Sequence, residues 1–247
     1  MKALLRYITC SLALAVMAST ANAGLITYTF ENPGADLPTN TGSSPNQCNF
    51  VPISGSDLCA DEDGTLVYTK AGRTLTAGAG STMSGVTSTL MQDLQPTNSG
   101  LAVVSQDGTT FETNSDDQIQ EFVFGEFITF SFDRMTELAV IDFNRGGDRN
   151  CTPYSGGGEG PCGLFDLYDM TGLIQASITA TDDLVLANVI TDTSRLTGNY
   201  FKLVARDNTT DDQSGFTIGS VSVVPAPTGV LLLGFGILAL AFTRKAA

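Results

Sequence analysis

Between Gly24 and Val224, apolar and polar residues alternate with a period of two over many short stretches, the pattern of strands that bury one face. Ile26, Tyr28 and Phe30 alternate with Thr27 and Thr29, which predicts a first strand. Thr65–Tyr68 and Arg73–Ala77 predict a strand pair around Lys70-Ala-Gly72, and Leu101–Ser105 predicts another short strand. From Phe127 to Phe143 the pattern predicts a hairpin. Ile128, Phe130 and Phe132 alternate with Thr129 and Ser131, a turn falls near Arg134-Met-Thr-Glu137, and Leu138–Phe143 returns. The return arm is apolar on both faces at Ala139-Val140-Ile141, which places it at the centre of a sheet. Leu164–Tyr168 and Leu173–Ile178 predict a second hairpin around Asp169-Met-Thr-Gly172. Phe201, Leu203 and Ala205 then alternate with Tyr200, Lys202 and Val204, and Phe216–Val224 forms the last strand. Val185–Ile190 reads as strand or as a single helical turn. The small residues of Ala77–Ser84 predict an exposed connection, and Asn32–Ser56, rich in Pro, Asn, Ser and Gly, a long surface loop. Strands with turn signals and no long amphipathic helix imply an all-β fold, an antiparallel β-sandwich or jelly roll.

The two ends break this pattern. Lys2 and Arg6 precede an apolar run from Ile8 to Ala18, and Ala21-Asn-Ala23 stands before Gly24. These are the three parts of a signal peptide cleaved between Ala23 and Gly24, and Cys10 would leave with it. At the other end Val224-Pro225-Ala226-Pro227 leads into Gly229–Phe242, which carries no charge, and then Arg244-Lys245. The prolines impose an extended segment. Thr228–Thr243 is 16 residues, about 24 Å of helix at ~1.5 Å per residue. That is short of a ~30 Å hydrocarbon core, so the span is marginal, with Arg244 and Lys245 left on the cytoplasmic side.

In this order the residues resemble the PEP-CTERM sorting signal of exopolysaccharide-producing Gram-negative bacteria, with Ala226 where that family usually carries Glu. The resemblance covers about 25 of the 247 residues. It implies recognition by an exosortase, a membrane transpeptidase that cuts near the motif, and hence an inner-membrane-anchored precursor that passes to the cell surface or extracellular matrix. The alternative is an ordinary C-terminal membrane anchor. The expected organisation is a signal peptide at 1–23, a β-sandwich domain at 24–224 and a sorting or transmembrane segment at 225–247. The jelly-roll expectation also matches domains common in exported proteins of this kind, which resemble carbohydrate-binding modules.

Charge and residue types narrow the chemistry. The chain has 12 basic and 26 acidic residues, a net −14. Lys2, Arg6, Arg244 and Lys245 lie in the terminal segments, so 12 less 4 leaves 8 basic residues against 26 acids, a net −18. Such a domain is not expected to bind nucleic acid or anionic membrane surfaces. Histidine is absent, which removes His-based triads, His general bases and most transition-metal catalysis. Of the remaining cysteines, Cys48 and Cys59, and Cys151 and Cys162, each enclose ten residues. Three pairings are possible, and proximity with matched spacing favours the two local disulfides in an oxidising compartment. Zinc would want closer CxxC spacing or histidine.

Tryptophan is also absent, so Tyr68, Tyr154, Tyr168 and Tyr200 are the candidate sugar-stacking rings. Three acidic clusters are calcium candidates: Asp61 and Asp63 with Glu62; Asp207, Asp211 and Asp212 with Asn208; and Asp166 with Asp169. None has EF-hand spacing, and a solvated polar turn is the plainer reading of each. Carboxylate-pair glycoside hydrolysis is open to any chain with 26 acids, so composition alone carries no weight for it. The Gly156–Gly158 run lacks the Gly-Lys-Ser/Thr ending of a phosphate loop. Three functions follow as expectations: a non-catalytic exported surface or exopolysaccharide-matrix protein, a carbohydrate-binding module with or without calcium, and a carboxylate-based glycan-active enzyme.

Overall fold

The computed structural model describes residues 24–31, 33–40, 58–59, 64–94, 100–107, 110–111, 125–144, 163–206 and 216–225. Among these residues thirteen strands form one antiparallel hydrogen-bonded sheet. In chain order they are β1 (Ile26–Thr29), β2 (Leu58–Cys59), β3 (Thr65–Lys70), β4 (Arg73–Ser81), β5 (Val86–Asp93), β6 (Gly100–Asp107) and β7 (Thr110–Phe111). There follow β8 (Glu126–Asn144), β9 (Leu164–Asp169), β10 (Gly172–Thr179), β11 (Leu184–Val185), β12 (Thr197–Arg206) and β13 (Thr217–Pro225). The path runs β10-β9-β12-β8-β13-β6-β5-β2; β4 and β11 also pair with β8, β1 with β13, β3 with β4 and β7 with β6. Two 3-10 turns, Leu186–Asn188 and Thr193–Leu196, are the helical elements among the described residues. The all-β expectation holds.

The predicted Phe127–Phe143 hairpin does not form. Its two arms are one continuous strand of 19 residues, β8. A tight hairpin turn needs residues that tolerate positive φ, and Arg134 to Glu137 contains no Gly, Asn or Asp. The exposed Asp133, Arg134 and Met135 are instead accommodated in a bulge. The register against β12 jumps from Gly198↔Thr136 to Tyr200↔Ser131. Each arm then takes its own neighbours: the first half lies between β4 and β12, the second between β11 and β13. The central position expected for the second arm is therefore correct.

Inward residues of both halves, Phe130, Phe132, Ile141 and Phe143, enter one core cluster with Tyr28, Leu75, Phe201 and Ile218 of neighbouring strands. Phe143 packs at 5.1 Å from Phe165 and, edge-on, 5.1 Å from Phe216.

Two predicted turns appear as expected. Ala71 and Gly72 both take positive φ, 51° and 69°, the type I′ pattern that suits a two-residue hairpin loop. The β9–β10 turn is held by Asp169, whose Oδ1 accepts from the Thr171 and Gly172 N–H groups at 2.6 and 3.0 Å. The exposed connection predicted for Ala77–Ser84 is confined to its end, Thr82–Ser84: β4 continues through Ser81, paired with β8 from Leu75↔Phe132 to Ser81↔Glu126. Val185–Ile190 is both of its readings, a strand end followed by a 3-10 turn.

Strand β5 is absent from the alternation pattern because Ser88, Thr89, Leu90, Met91 and Gln92 are all buried, so neither face is polar by exposure. Its polar groups are satisfied internally. Ser88 and Ser105 hydroxyls lie 2.7 Å apart. Tyr68 Oη donates to Gln92 Oε1 at 3.1 Å, and Gln92 Nε2 donates to the Phe30 and Asp36 carbonyls, both at 3.0 Å.

The last strand takes in Val224 and Pro225, with Pro225 opposite Thr136. Because β1 runs antiparallel to β13 with Ile26 opposite Val223, Gly24 and Pro225 leave the sheet at one corner. No helix among the described residues is long and apolar enough to cross a membrane. The expected signal peptide, 1–23, and the tail from Ala226 lie outside the described residues.

Candidate ligand-binding face

The outward side of β3, β4, the first half of β8, β12 and β9 carries the main constellation. The inward side of these strands is core: Ile128, Phe130, Phe201 and Leu203 are fully buried. The residues between them therefore face out, and strand register decides which of them meet. One row across the strands runs Tyr168–Lys202–Thr129–Gly78, and the next runs Asp166–Val204–Phe127–Gly80.

Phe127 is an aromatic residue on the polar side of an alternating strand. A Cβ at Gly80 would overlap its ring, so the glycine is what lets the ring lie down over β4. Thr129 lies over Gly78 in the same way, 2.9 Å from where a Cβ would stand. Lys202 Nζ sits 4.7 Å from the Phe127 ring centroid and 5.1 Å from that of Tyr168. Each such contact holds an exposed ammonium by roughly 0.5–1 kcal/mol.

Beside this pair lies a fixed polar group. Asp166 is 5% exposed. Its Oδ1 accepts from the Ser177 N–H at 2.8 Å, and its Oδ2 lies 3.3 Å from Arg206 Nε. Arg206 Nη1 also donates to Ser177 Oγ at 3.2 Å. Ser177 has φ 53°, a left-handed conformation uncommon for a residue other than Gly, Asn or Asp, and it falls where the β9–β10 register shifts. Backbone strain of this kind persists only where surrounding bonds hold it, as Asp166 and Arg206 do here. Burial, and then the Asp166 carboxylate, push the Tyr168 hydroxyl above the usual tyrosine range. The face thus offers two flat rings, one ammonium, a guanidinium–carboxylate pair and a row of hydroxyls. It is suited to stacking and hydrogen bonding.

A second group was hidden from the sequence by chain distance. Glu31, Asp142, Asp182 and Asp183 are brought together beside Gly219. A Cβ there would stand 3.0 Å from Glu31 Oε2 and 3.2 Å from Asp142 Oδ2. The Asp183 N–H donates to Asp142 Oδ1 at 3.2 Å. Burial chiefly, and then the neighbouring carboxylates, raise both Asp142 and Glu31 above the ordinary carboxyl range. Among the described residues, no group of three or more His, Cys, Asp or Glu side chains is arranged to hold a metal ion.

The residues singled out in the sequence distribute unevenly. Tyr68 is corrected as a stacking candidate: it is fully buried and its hydroxyl is committed to Gln92. Tyr168 and Tyr200 are half-buried on the outward face, with Phe201 alone between Tyr200 and Lys202 along β12. Asp166 and Asp169 are not brought together. Asp169 turns to Arg195, accepting from Nε at 2.9 Å and Nη2 at 2.8 Å, while Asp166 holds Arg206. Val224 and Pro225 lie on β13, Gly24 just before β1, and the backbone of Cys59 on β2 opposite Met91.

Outside the described residues are Ala21, Ala23, Cys48, Cys151, Cys162, Tyr154, Asp61, Asp63, Asp207, Asp211, Asp212, Ala226, Pro227, Arg244 and Lys245. Phe127, Lys202, Arg206 and Ser177 carry the face, and no motif in the sequence alone marks them as site residues. The available signal was Phe127 and Lys202 on the polar side of alternating strands. No family model, no curated protein and no solved structure matches this chain.

Proposed function

We propose that this chain is a non-catalytic exported protein of the cell surface or exopolysaccharide matrix, made as a membrane-held precursor and released or transferred by an exosortase. Its delivered part is a single β-sandwich of jelly-roll type, whose two layers share the bulged strand β8. The observation that carries the reading is the junction at Pro225. The last strand runs directly into the Pro-Ala-Pro segment, with no linker to hold a domain away from a bilayer. A permanent anchor is better served by a spacer and a longer apolar span. The first strand starts at the same corner, so a signal peptide and a tail anchor can sit in one membrane without straining the domain.

The test is intact-mass measurement on secreted protein, beside a chain with Pro225 and Pro227 both changed to Ala. The expected wild-type product lacks Arg244 and Lys245, and the double variant stays uncut in the membrane fraction. Secreted wild-type protein that still carries Arg244 and Lys245 leaves the plain-anchor reading in its place.

A second reading, carbohydrate binding, is favoured by one specific arrangement: Phe127 and Tyr168 on either side of Lys202, beside the Asp166–Arg206 pair. Aromatic faces stack on the apolar side of a pyranose ring, and a carboxylate next to a guanidinium supplies the acceptor and donor that its hydroxyls need. The two readings are compatible, since a matrix protein that holds glycan is both.

A further inference from the structure

We infer that the face formed by Phe127, Tyr168 and Lys202 takes a carboxylate-bearing sugar polymer, with the Lys202 ammonium reading the carboxylate. The inference rests on the carbohydrate-binding reading and adds to it the class of sugar.

Asp166 and Arg206 neutralise one another, and the Asp166 carboxylate is further occupied by the Ser177 N–H. Lys202 has ring faces for neighbours, and no carboxylate pairs with it among the described residues. The face therefore carries one uncompensated positive charge, in a chain with more than twice as many acids as bases.

Lys202 is in the middle of β12, between the two rings, so any chain lying across both rings crosses its ammonium. The β4 side is low, because Gly80 adds no side chain beneath Phe127. A long flat ligand fits this relief better than a compact one.

A neutral sugar stacks on the rings but leaves the ammonium to water. A carboxylate in the same place makes a charge-assisted hydrogen bond, roughly twice as strong as a neutral one. The overall negative charge of the protein opposes the approach of an acidic polymer, but a Debye length of about 8 Å at physiological ionic strength confines the contest to nearby charges.

The test uses polygalacturonate, alginate and hyaluronate, each beside its methyl ester, which keeps the backbone and removes the charge. Calorimetric titration of the exported wild-type protein should show at least one acid form binding about tenfold or more tightly than its ester, the size of effect one charge-assisted bond supports. Lys202→Met keeps an apolar stem between the rings and should lower the affinity for the acid form to that of the ester, leaving the ester unchanged. Lys202→Arg should keep the preference. Equal wild-type affinity for acid and ester, or a Lys202→Met protein that retains the preference, overturns the charge assignment while leaving glycan binding in place. No binding to any of the six polymers overturns the carbohydrate reading and this inference together. The wild-type comparison needs no variant to fold.

Discussion

Asp142 shows how a single side chain can work against the fold that holds it. Its carboxyl is raised by burial and by Asp182 and Asp183, with Glu31 across Gly219 in the same state. A carboxyl raised in the folded state binds its proton more tightly there than in the unfolded chain. Its stabilising contribution is thus full below the unfolded value of about 3.9 and is lost as pH rises through the folded value. Asn at this position keeps the Oδ1 acceptor for the Asp183 N–H and removes the charge. We therefore predict that Asp142→Asn raises the melting midpoint at pH 7, and that the gain disappears near pH 4. An equal loss of stability at both pH values would sink this account.

Asp169 has the opposite sign. Arg195 first, then the Thr171 hydroxyl and N–H, hold it well below the usual carboxylate range. Its contribution is present above the unfolded value and is lost only as pH falls through a very low folded one. The two acids sit in the same sheet: Asp142 is buried among carboxylates and raised, while Asp169 is held by Arg195 and Thr171 and lowered.

Among the elements, β4 and β8 show what a glycine does in a strand. Gly80 leaves open the volume that the Phe127 ring fills, which is why a small-residue stretch became a strand under a ring instead of a connection. Replacing Gly80 by Ala relieves the entropy penalty of a strand glycine by about 0.5–1 kcal/mol. It also forces the ring aside, at about 1–3 kcal/mol for an overpacked site. The net expectation is a destabilisation of about 1 kcal/mol. In a Phe127→Ala background the same change should be neutral or stabilising. Denaturant unfolding of the four proteins measures the coupling. Additive effects would show that the ring and the glycine do not share the volume.

For the whole molecule, the two longest internal segments outside the described residues are 41–57, before β2, and 145–162, between β8 and β9. Each contains one of the two matched cysteine pairs, apart from Cys59, whose backbone is already in β2 opposite Met91 of β5. Local bridges would tie each segment back on itself at about 3 kcal/mol apiece by the chain-entropy estimate. We predict that non-reducing peptide mapping finds Cys48 joined to Cys59 and Cys151 to Cys162. Crossed linkage or free thiols would contradict it. The junction of Gly24 and Pro225 at one corner belongs to this level as well, since only the β1–β13 pairing brings residues two hundred positions apart together.

The period-two pattern was enough for the fold class and most strands. Alternation is a local property, and burying one side of a strand needs only the residues of that strand. The Ala71-Gly72 and Met170-Thr171 turns were legible for the same reason, since two residues and one Asx side chain decide them. The pattern failed where neighbours intervene. Strand β5 is buried on both faces, the small residues of β4 are covered by a ring from β8, and β8 runs straight through a polar stretch because each half has different partners. The candidate face was almost invisible beforehand. Phe127, Tyr168 and Lys202 are 34 to 75 residues apart, and what joins them is strand register, which is settled by the long-range pairing of β8, β9 and β12 around a common core.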